Sequence, residues 1–548
     1  MKLSNVDYQI MWNRLVAVVE EQATTLIRTA FSTSVREAGD LSAGVFDCRG
    51  RMIAQAITGT PGHVNAMAES VPHFITEIGQ SNIHEGDVYL TNDPWKGTGH
   101  LHDFTMVSPA FYQGLHVGFF AATAHVVDIG GRGYGPDANE VYEEGLLVPI
   151  MKFISQGEVN KDLINIIRNN VREQDQVIGD LYSLAACNAA GDTRLMDMMT
   201  EFNLVELETL SDFIIDNSRA ATLARIKDLP DGTYCNEMMV DGYETAVDMK
   251  VALTIAGDTL LADFAGTSGP SKFGVNVPMV YTRAYACYGL KCAIAPDIPN
   301  NTGSLKPFGV TAPKGCILNA PHPAPVSVRH VLGHFVPDVV LGALHKCIPG
   351  VAPAEGASAL WNILLSARPV DPSSGLPSSE IMMFNSGGMG ARATLDGLSA
   401  TAFPSGVSTM SAEATEHVGP ITIWQKDLLE GSGGSGEFRG GLGQTIVISP
   451  NQGYELYFNA MLDRIQFPAR GREQGKDGAA GSVMLDDGTV LKGKGRQLIP
   501  AGRKLILQLP GGGGYGDPKK RSADKVRADL DAGYITLEQA VNDYGLTL

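Results

Sequence analysis

The sequence lacks any CxxC pair, although seven cysteines are scattered along its 548 residues. An odd number of cysteines without a pattern argues against a disulfide framework and favours reduced, buried thiols in a cytosolic protein. The sequence also lacks a signal peptide and any run approaching about 18 apolar residues. We therefore expect no membrane span and a cytoplasmic location.

Runs of positive charge are absent as well. Lys and Arg total 42 against 60 Asp and Glu, which gives a formal net charge of −18. Nucleic acid and anionic membrane surfaces are therefore excluded as expected partners. The GxxxxGK[ST] phosphate loop is missing too, because GSGGSGEF has neither the lysine nor a following helix signal. We interpret the glycine strings as tight turns.

What the chain does contain is an irregular alternation of helical and antiparallel β patterns. An amphipathic helix is predicted over 5–32 with Asn5 as its cap, and hairpins are predicted over 41–56 and 101–128. The fold class expected is α+β, multi-domain, with mainly antiparallel sheets and interspersed helices. The predicted divisions are an N-terminal metal-site domain, a central α+β substrate domain, a glycine-rich β domain and a helical tail, at 1–155, 156–420, 421–520 and 521–548.

The stretch TGHLHD, residues 98–103, places two histidines and an aspartate within four positions. If the following hairpin folds at Gln113-Gly114, facing positions sum to about 227 and His125 lies opposite His102. Facing residues of an antiparallel pair lie about 5 Å apart, which is close enough to share one cation. Proximity survives a register slip of one or two residues, although the facing partner does not.

The local shape of HLHD decides which side chains converge. In a straight strand His100 and His102 share a face, whereas in an irregular turn His100 and Asp103 converge; the glycines just before make the irregular form plausible. Two imidazoles and a carboxylate suit Zn²⁺ or Mn²⁺ with one open position, and Glu37 or Asp40 offers a further acid. The alternative is structural: hydrogen-bonded core histidines, and an aspartate that caps a turn.

Several segments together resemble the hydantoinase B/oxoprolinase family over nearly the whole chain. They are SVREAGDLSAGVFD, PGHVNAM, GDVYLTNDPWKGTGHLHDF, AHVVDIGG, DFAGTSG, GSGGSGEFRGGLG and PGGGGYGDP. The resemblance implies a divalent metal whose ligands are, carried over by motif, Asp40, His100, Asp103 and His125, with Glu37 as the competing acid. His102 departs from the small or polar residue commoner in the family, which leaves its role open.

The resemblance also implies a division of labour between two subunits. An A-type, actin/hexokinase-like partner uses ATP and Mg²⁺ to phosphorylate a small cyclic amide, and this chain opens the activated ring within a hetero-oligomer such as A2B2. Glu37, His63 and Asp128 are the expected catalytic or metal-supporting residues, and Asn385 and Ser386 are candidate substrate-binding residues. His330 and His334 are interpreted as ordinary polar positions of a helix.

Three functions fit this sequence. The first is the metal-dependent subunit of an ATP-dependent cyclic amide hydrolase acting on a hydantoin, 5-oxoproline or a lactam. The second is a subunit of an ATP-dependent ketone carboxylase of the acetone or acetophenone type. The third is a scaffold for the ATP-binding partner that performs no chemistry and need not bind metal.

Overall fold

The computed structural model describes residues 4–547. It confirms the α+β class, with several mostly antiparallel sheets and helices between them. Among the described residues, no helix combines the length and the hydropathy needed to cross a bilayer.

The N-terminal part is built on a seven-stranded sheet in the order β2-β1-β5-β4-β3-β6-β7, in which all neighbours are antiparallel. The strands are β1 (Leu41–Phe46), β2 (Met52–Gln55), β3 (Val88–Thr91), β4 (Asp103–Tyr112), β5 (Leu115–His125), β6 (Met151–Ser155) and β7 (Glu158–Val159). The helices are α1 (Asn5–Thr29), α2 (Thr33–Arg36), α3 (Pro61–Ile78), α4 (Val141–Glu144), α5 (Lys161–Asn170) and α6 (Gln174–Glu201).

Both faces of this sheet are covered, which explains the continuous apolar run of β5. Phe120, Ala122 and Ala124 pack into the core formed with α1 and α6, whereas Phe119 and Ala121 pack against α3. A strand buried on both faces has no reason to alternate polar and apolar residues. Both predicted hairpins are confirmed. The cap of α1 is Ser4 rather than Asn5, because the Ser4 hydroxyl accepts the backbone N–H of Asp7.

A second unit follows, with a four-stranded sheet in the order β11-β10-β9-β8. Only the β10–β11 pair in this sheet is parallel. Helices α8 and α11 pack in its core. Its elements are α7 (Glu208–Lys227), β8 (Gly232–Val240), β9 (Val247–Ala256), β10 (Thr259–Asp263), α8 (Met279–Ile294), α9 (Thr302–Leu305), β11 (Phe308–Thr311), α10 (His330–Gly333) and α11 (Val336–Cys347).

Two more four-stranded sheets, β13-β12-β16-β18 and β14-β15-β19-β17, share one apolar core. Their strands come from both sides of residue 420, where one of the predicted domain boundaries lies. The division into four domains stays a prediction. The elements are β12 (Trp361–Pro369), β13 (Ser379–Asn385), α12 (Ala412–Val418), β14 (Ile421–Leu428), β15 (Gln444–Pro450), β16 (Tyr454–Met461), β17 (Ser482–Leu485), β18 (Lys494–Ile499), β19 (Leu505–Gln508), α13 (Ala523–Asp531) and α14 (Leu537–Asn542).

Candidate metal centre

The β4–β5 hairpin brings the HLHD segment and His125 together. Its tip is the Gln113-Gly114 pair, both with positive φ, and Tyr112 faces Leu115 as the predicted register requires. A bulge beyond Ala110 adds one residue to β5, so Asp103 faces His125. The prediction that His102 faces His125 is therefore wrong by one position.

The HLHD segment is irregular rather than a straight strand. Strand β4 begins only at Asp103, and Gly99 just before it has a φ of 99°. A Cβ at Gly99 would come within 2.6 Å of the Arg329 side chain, so only glycine fits this close approach. The turn places His100 Nε2 2.8 Å from Asp103 Oδ1, which is the convergence that the irregular form predicts.

His100, His102, Asp103 and His125 form one buried cluster, and Asp103 lies at its centre. Its Oδ1 atom lies 2.8 Å from His100 Nε2 and 3.0 Å from His125 Nδ1. Its Oδ2 atom accepts the Thr98 hydroxyl and the Arg329 guanidinium, both at 2.5 Å. Burial opposes the ionisation of Asp103, but its charged and hydrogen-bonding neighbours, Arg329 among them, outweigh it and hold its pKa well below the usual range.

The tautomer of His100 shows why this cluster fits a cation. Its Nδ1–H donates to the Ser327 carbonyl at 2.8 Å. Burial, together with Arg329, lowers the pKa of His100 to about 4, so the ring is neutral near pH 7 and Nε2 carries a lone pair. That lone pair has no hydrogen-bond partner among the described residues and lies 2.8 Å from a carboxylate oxygen. A cation bound between His100 Nε2 and Asp103 Oδ1 would stabilise both atoms.

One ligand atom each from His100, Asp103 and His125 lies within 4.8 Å of the other two, and all three residues are buried. Such a set of two imidazole nitrogens and one carboxylate oxygen binds catalytic Zn²⁺ and other divalent transition metals in proteins. The residues present therefore fit a divalent metal.

Asp40 and His63 lie at the edge of this trio. Asp40 Oδ2 is 4.0 Å from His125 Nδ1, and Asp40 Oδ1 accepts the Thr60 hydroxyl at 3.0 Å. His63 Nε2 lies 2.9 Å from Asp103 Oδ2, and its Nδ1 lies 3.5 Å from Asp40 Oδ1. Burial alone would lower the pKa of His63, but the two carboxylates outweigh it and raise that pKa.

The other two predicted acids, Glu37 and Asp128, make their polar contacts outside the trio. Glu37 pairs with Arg36 at the surface, and its side chain is 40% exposed. Asp128 binds Arg172 at 2.8 Å and the backbone of Gly130. Neither carboxylate contacts the trio in these interactions, whereas Asp40, the other acid of the REAGD segment, approaches His125 and His63.

Asn385 and Ser386 are buried just after Phe384, whose ring is 6.4 Å from that of His125. The Asn385 amide donates to the Trp361 carbonyl, and the Ser386 carbonyl accepts from Gln444. Their substrate-binding role stays a prediction.

Sequence reasoning missed Arg329, Tyr134 and His330. The Arg329 guanidinium is buried and lies over the Tyr281 ring at 4.0 Å while it binds Asp103. The Tyr134 hydroxyl hydrogen-bonds His330 Nδ1 at 3.1 Å, and the Tyr134 ring contacts all three imidazoles of the hairpin cluster. The interpretation of His330 as an ordinary polar position was incomplete, because its ring is buried and bound to Tyr134, a contact that no local spacing in RHVLGHF indicates.

Two cavities are lined by residues that contact the cluster or adjoin such a residue in the sequence. One, of about 780 Å³, is lined by Gly59 and Pro61, on either side of the Thr60 that binds Asp40. The other is a polar recess of about 50 Å³, lined by Asp128, Tyr134 and Arg172 among others.

Known proteins are similar to this chain over nearly its whole length. A sequence model of the hydantoinase B/oxoprolinase family matches residues 4–518. The B component of a putative D-/L-hydantoinase from Pseudomonas sp. (strain NS671) is 28% identical, over 100% of this chain and 96% of its own length. The beta subunit of caprolactamase from Pseudomonas jessenii is also 28% identical, over 96% of this chain and 93% of its own.

Solved structures share the fold. The ATP-dependent caprolactamase of Pseudomonas jessenii superposes with a TM-score of 0.90 at 24% identity, covering 100% of this chain and 97% of the other. A nucleotide-free acetone carboxylase superposes with a TM-score of 0.85 at 19% identity, covering 98% and 79%.

Proposed function

Because this chain belongs to the hydantoinase B/oxoprolinase family, we propose that it is the metal-dependent catalytic subunit of an ATP-dependent cyclic amide hydrolase. Its substrate class is a hydantoin, 5-oxoproline or lactam ring. The observation that carries the proposal is the buried contact of Asp103 Oδ1 with both His100 and His125. A Zn²⁺ or Mn²⁺ ion bound by these three residues, with Asp40 beside them, would supply Lewis acidity and activate water at neutral pH.

The chain's own residues set up the chemistry around that ion. Arg329 and Thr98 bind Asp103 Oδ2 and leave Oδ1 facing the imidazoles. The Ser327 carbonyl fixes the ring of His100 with its Nε2 lone pair toward the centre. His63, between two carboxylates that raise its pKa, is the candidate to hold and transfer a proton at Nε2.

Attack on an amide carbonyl forfeits amide resonance, so prior activation of the substrate lowers the barrier to ring opening. The sequence has no GxxxxGK[ST] loop for ATP. Two relatives, the B component of a hydantoinase and the beta subunit of caprolactamase, are by name single components of larger enzymes. We therefore assign ATP and Mg²⁺ to an A-type partner in a hetero-oligomer such as A2B2. This chain then receives the activated ring.

The test is turnover by the complex of this chain with its A-type partner. We expect ring-opened product and ADP with hydantoin, 5-oxoproline or caprolactam, and no product without ATP. Removal of divalent metal from this chain should abolish ring opening, and Zn²⁺ or Mn²⁺ should restore it. Full turnover by metal-free protein would contradict the proposal.

The acetone carboxylase fold supports a second candidate, an ATP-dependent ketone carboxylase subunit. In that case the same complex converts acetone and bicarbonate to acetoacetate and leaves cyclic amides unchanged. A scaffold without chemistry predicts a third outcome, in which His125→Ala leaves the activity of the complex intact.

A further inference from the structure

His102 lies inside the imidazole cluster without belonging to the trio that fits a metal. Its ring stacks on that of His125 with centroids 5.5 Å apart and 15° between the planes, and it contacts the Tyr134 ring edge-on at 4.7 Å. The residue is 1% exposed. Its position is therefore fixed by packing on two sides, directly beside the proposed reaction centre.

The polar atoms of His102 distinguish it from its neighbours. His100 donates to the Ser327 carbonyl, His125 hydrogen-bonds Asp103, and His330 hydrogen-bonds Tyr134. Neither nitrogen of His102 has a hydrogen-bond partner among the described residues, although both are buried. Native proteins pair the great majority of such atoms, because a buried polar atom without a partner destabilises the fold.

If this position only had to fill space, an apolar residue would do so without leaving two polar atoms unpaired. An imidazole carries at least one N–H donor in either protonation state. An amide oxygen is the complementary group for that donor.

We propose that His102 is a substrate-binding residue whose ring N–H donates a hydrogen bond to an oxygen of the cyclic amide beside the trio of His100, Asp103 and His125. This rests on the proposed function, since the amide is its substrate. Tyr134 contacts the His102 ring and also lines the polar recess with Asp128 and Arg172, so one wall residue of the recess touches the imidazole cluster.

The test compares His102→Leu, His102→Asn and His102→Gln in the complex with its A-type partner. Leucine fills similar space without polar atoms, whereas asparagine and glutamine place an amide N–H near Nδ1 and Nε2, respectively. We expect His102→Leu to retain its metal and its thermal midpoint while kcat/KM for the ring falls about 10- to 100-fold, because the substrate oxygen is left unpaired. One of the two amide variants should recover most of that loss.

His116→Leu is the matched control, since His116 lies on β5 of the same hairpin and hydrogen-bonds the Gly118 carbonyl outside the cluster. It should leave kcat/KM unchanged. Unchanged kcat/KM in His102→Leu would overturn the inference. So would loss of metal or a lowered midpoint in that variant without recovery by either amide, because His102 would then be structural. If the wild-type complex opens no cyclic amide, the proposed function is wrong and so is the inference. If the wild-type complex does open the ring, the result of the variants tests the role of His102 alone.

Discussion

At the residue scale, the two carboxylate oxygens of Asp103 make different contacts. Oδ2 accepts the Arg329 guanidinium and the Thr98 hydroxyl, whereas Oδ1 meets the two imidazoles. A buried carboxylate stays ionised only when charges and hydrogen bonds compensate its desolvation. Arg329 supplies that compensation, and one carboxylate oxygen stays directed at the cation site.

The spacing of HLHD and the hairpin predicted His100, Asp103 and His125 from sequence. Arg329 could not be found in the same way, because it binds Asp103 across 226 positions of sequence. Local patterns identify residues that a hairpin or a turn brings together. They carry no information on contacts made when separate units pack.

Glu144 supports the centre from farther away. Its Oε1 accepts the backbone N–H groups of Val326 and Ser327 at 2.6 and 2.7 Å, and Ser327 in turn accepts from His100. Burial raises the pKa of Glu144 to about 8, although the two backbone hydrogen bonds oppose it. The folded chain therefore keeps a proton that the unfolded chain releases near pH 4.5.

The stability that comes from neutral Glu144 is complete below about pH 4.5 and is lost as the pH rises through about 8. Glu144→Gln keeps the oxygen acceptor and removes the ionisation. We expect the thermal midpoint of the wild type to fall more than that of Glu144→Gln between about pH 5 and pH 8. Equal falls in the two proteins would show that Glu144 does not titrate in this way.

At the scale of elements, the glycine strings act through close backbone packing rather than as tight turns. In the segments 386–390, 432–443, 471–478 and 511–516, most of the added Cβ atoms would meet backbone atoms of a neighbouring segment at under 3 Å. Gly441 is an example, since its Cβ would lie 2.0 Å from the Leu398 carbonyl oxygen. Composition marks such strings as irregular, but it cannot show which other segment they approach.

Gly441→Ala should therefore destabilise the protein by about 3 kcal/mol or more, because backbone atoms on both sides must shift. Gly269→Ala is the control, since Gly269 is exposed and its Cβ would have open space. The measurement is the thermal midpoint and the soluble yield of the two variants. A Gly441→Ala protein as stable as Gly269→Ala would refute the close packing.

Among larger elements, the hairpins and the long N-terminal helix were predictable because their apolar periodicity and turn residues are local. The one-residue error at His125 arose at the bulge beyond Ala110. A bulge changes the pairing without changing the hydrophobic pattern, so periodicity does not report it.

At the scale of the whole molecule, the centre is assembled from distant parts of the chain. Asp40, His63, the HLHD segment and His125 belong to the seven-stranded sheet and its helix, whereas Arg329 and His330 come from the following unit. Sequence predicted the α+β class but not this convergence, because the contact between the two units is a property of their packing. Metal binding therefore reports on the correct assembly of both units.

The most direct measurement is the metal content of the purified wild-type chain, His125→Ala and His116→Ala, each determined by elemental analysis. We predict about one divalent ion per chain in the wild type and in His116→Ala, and less than about a tenth of that in His125→Ala, since one of three ligands is removed. A wild type without stoichiometric metal, or a His125→Ala chain that binds as much as the wild type, would contradict the account.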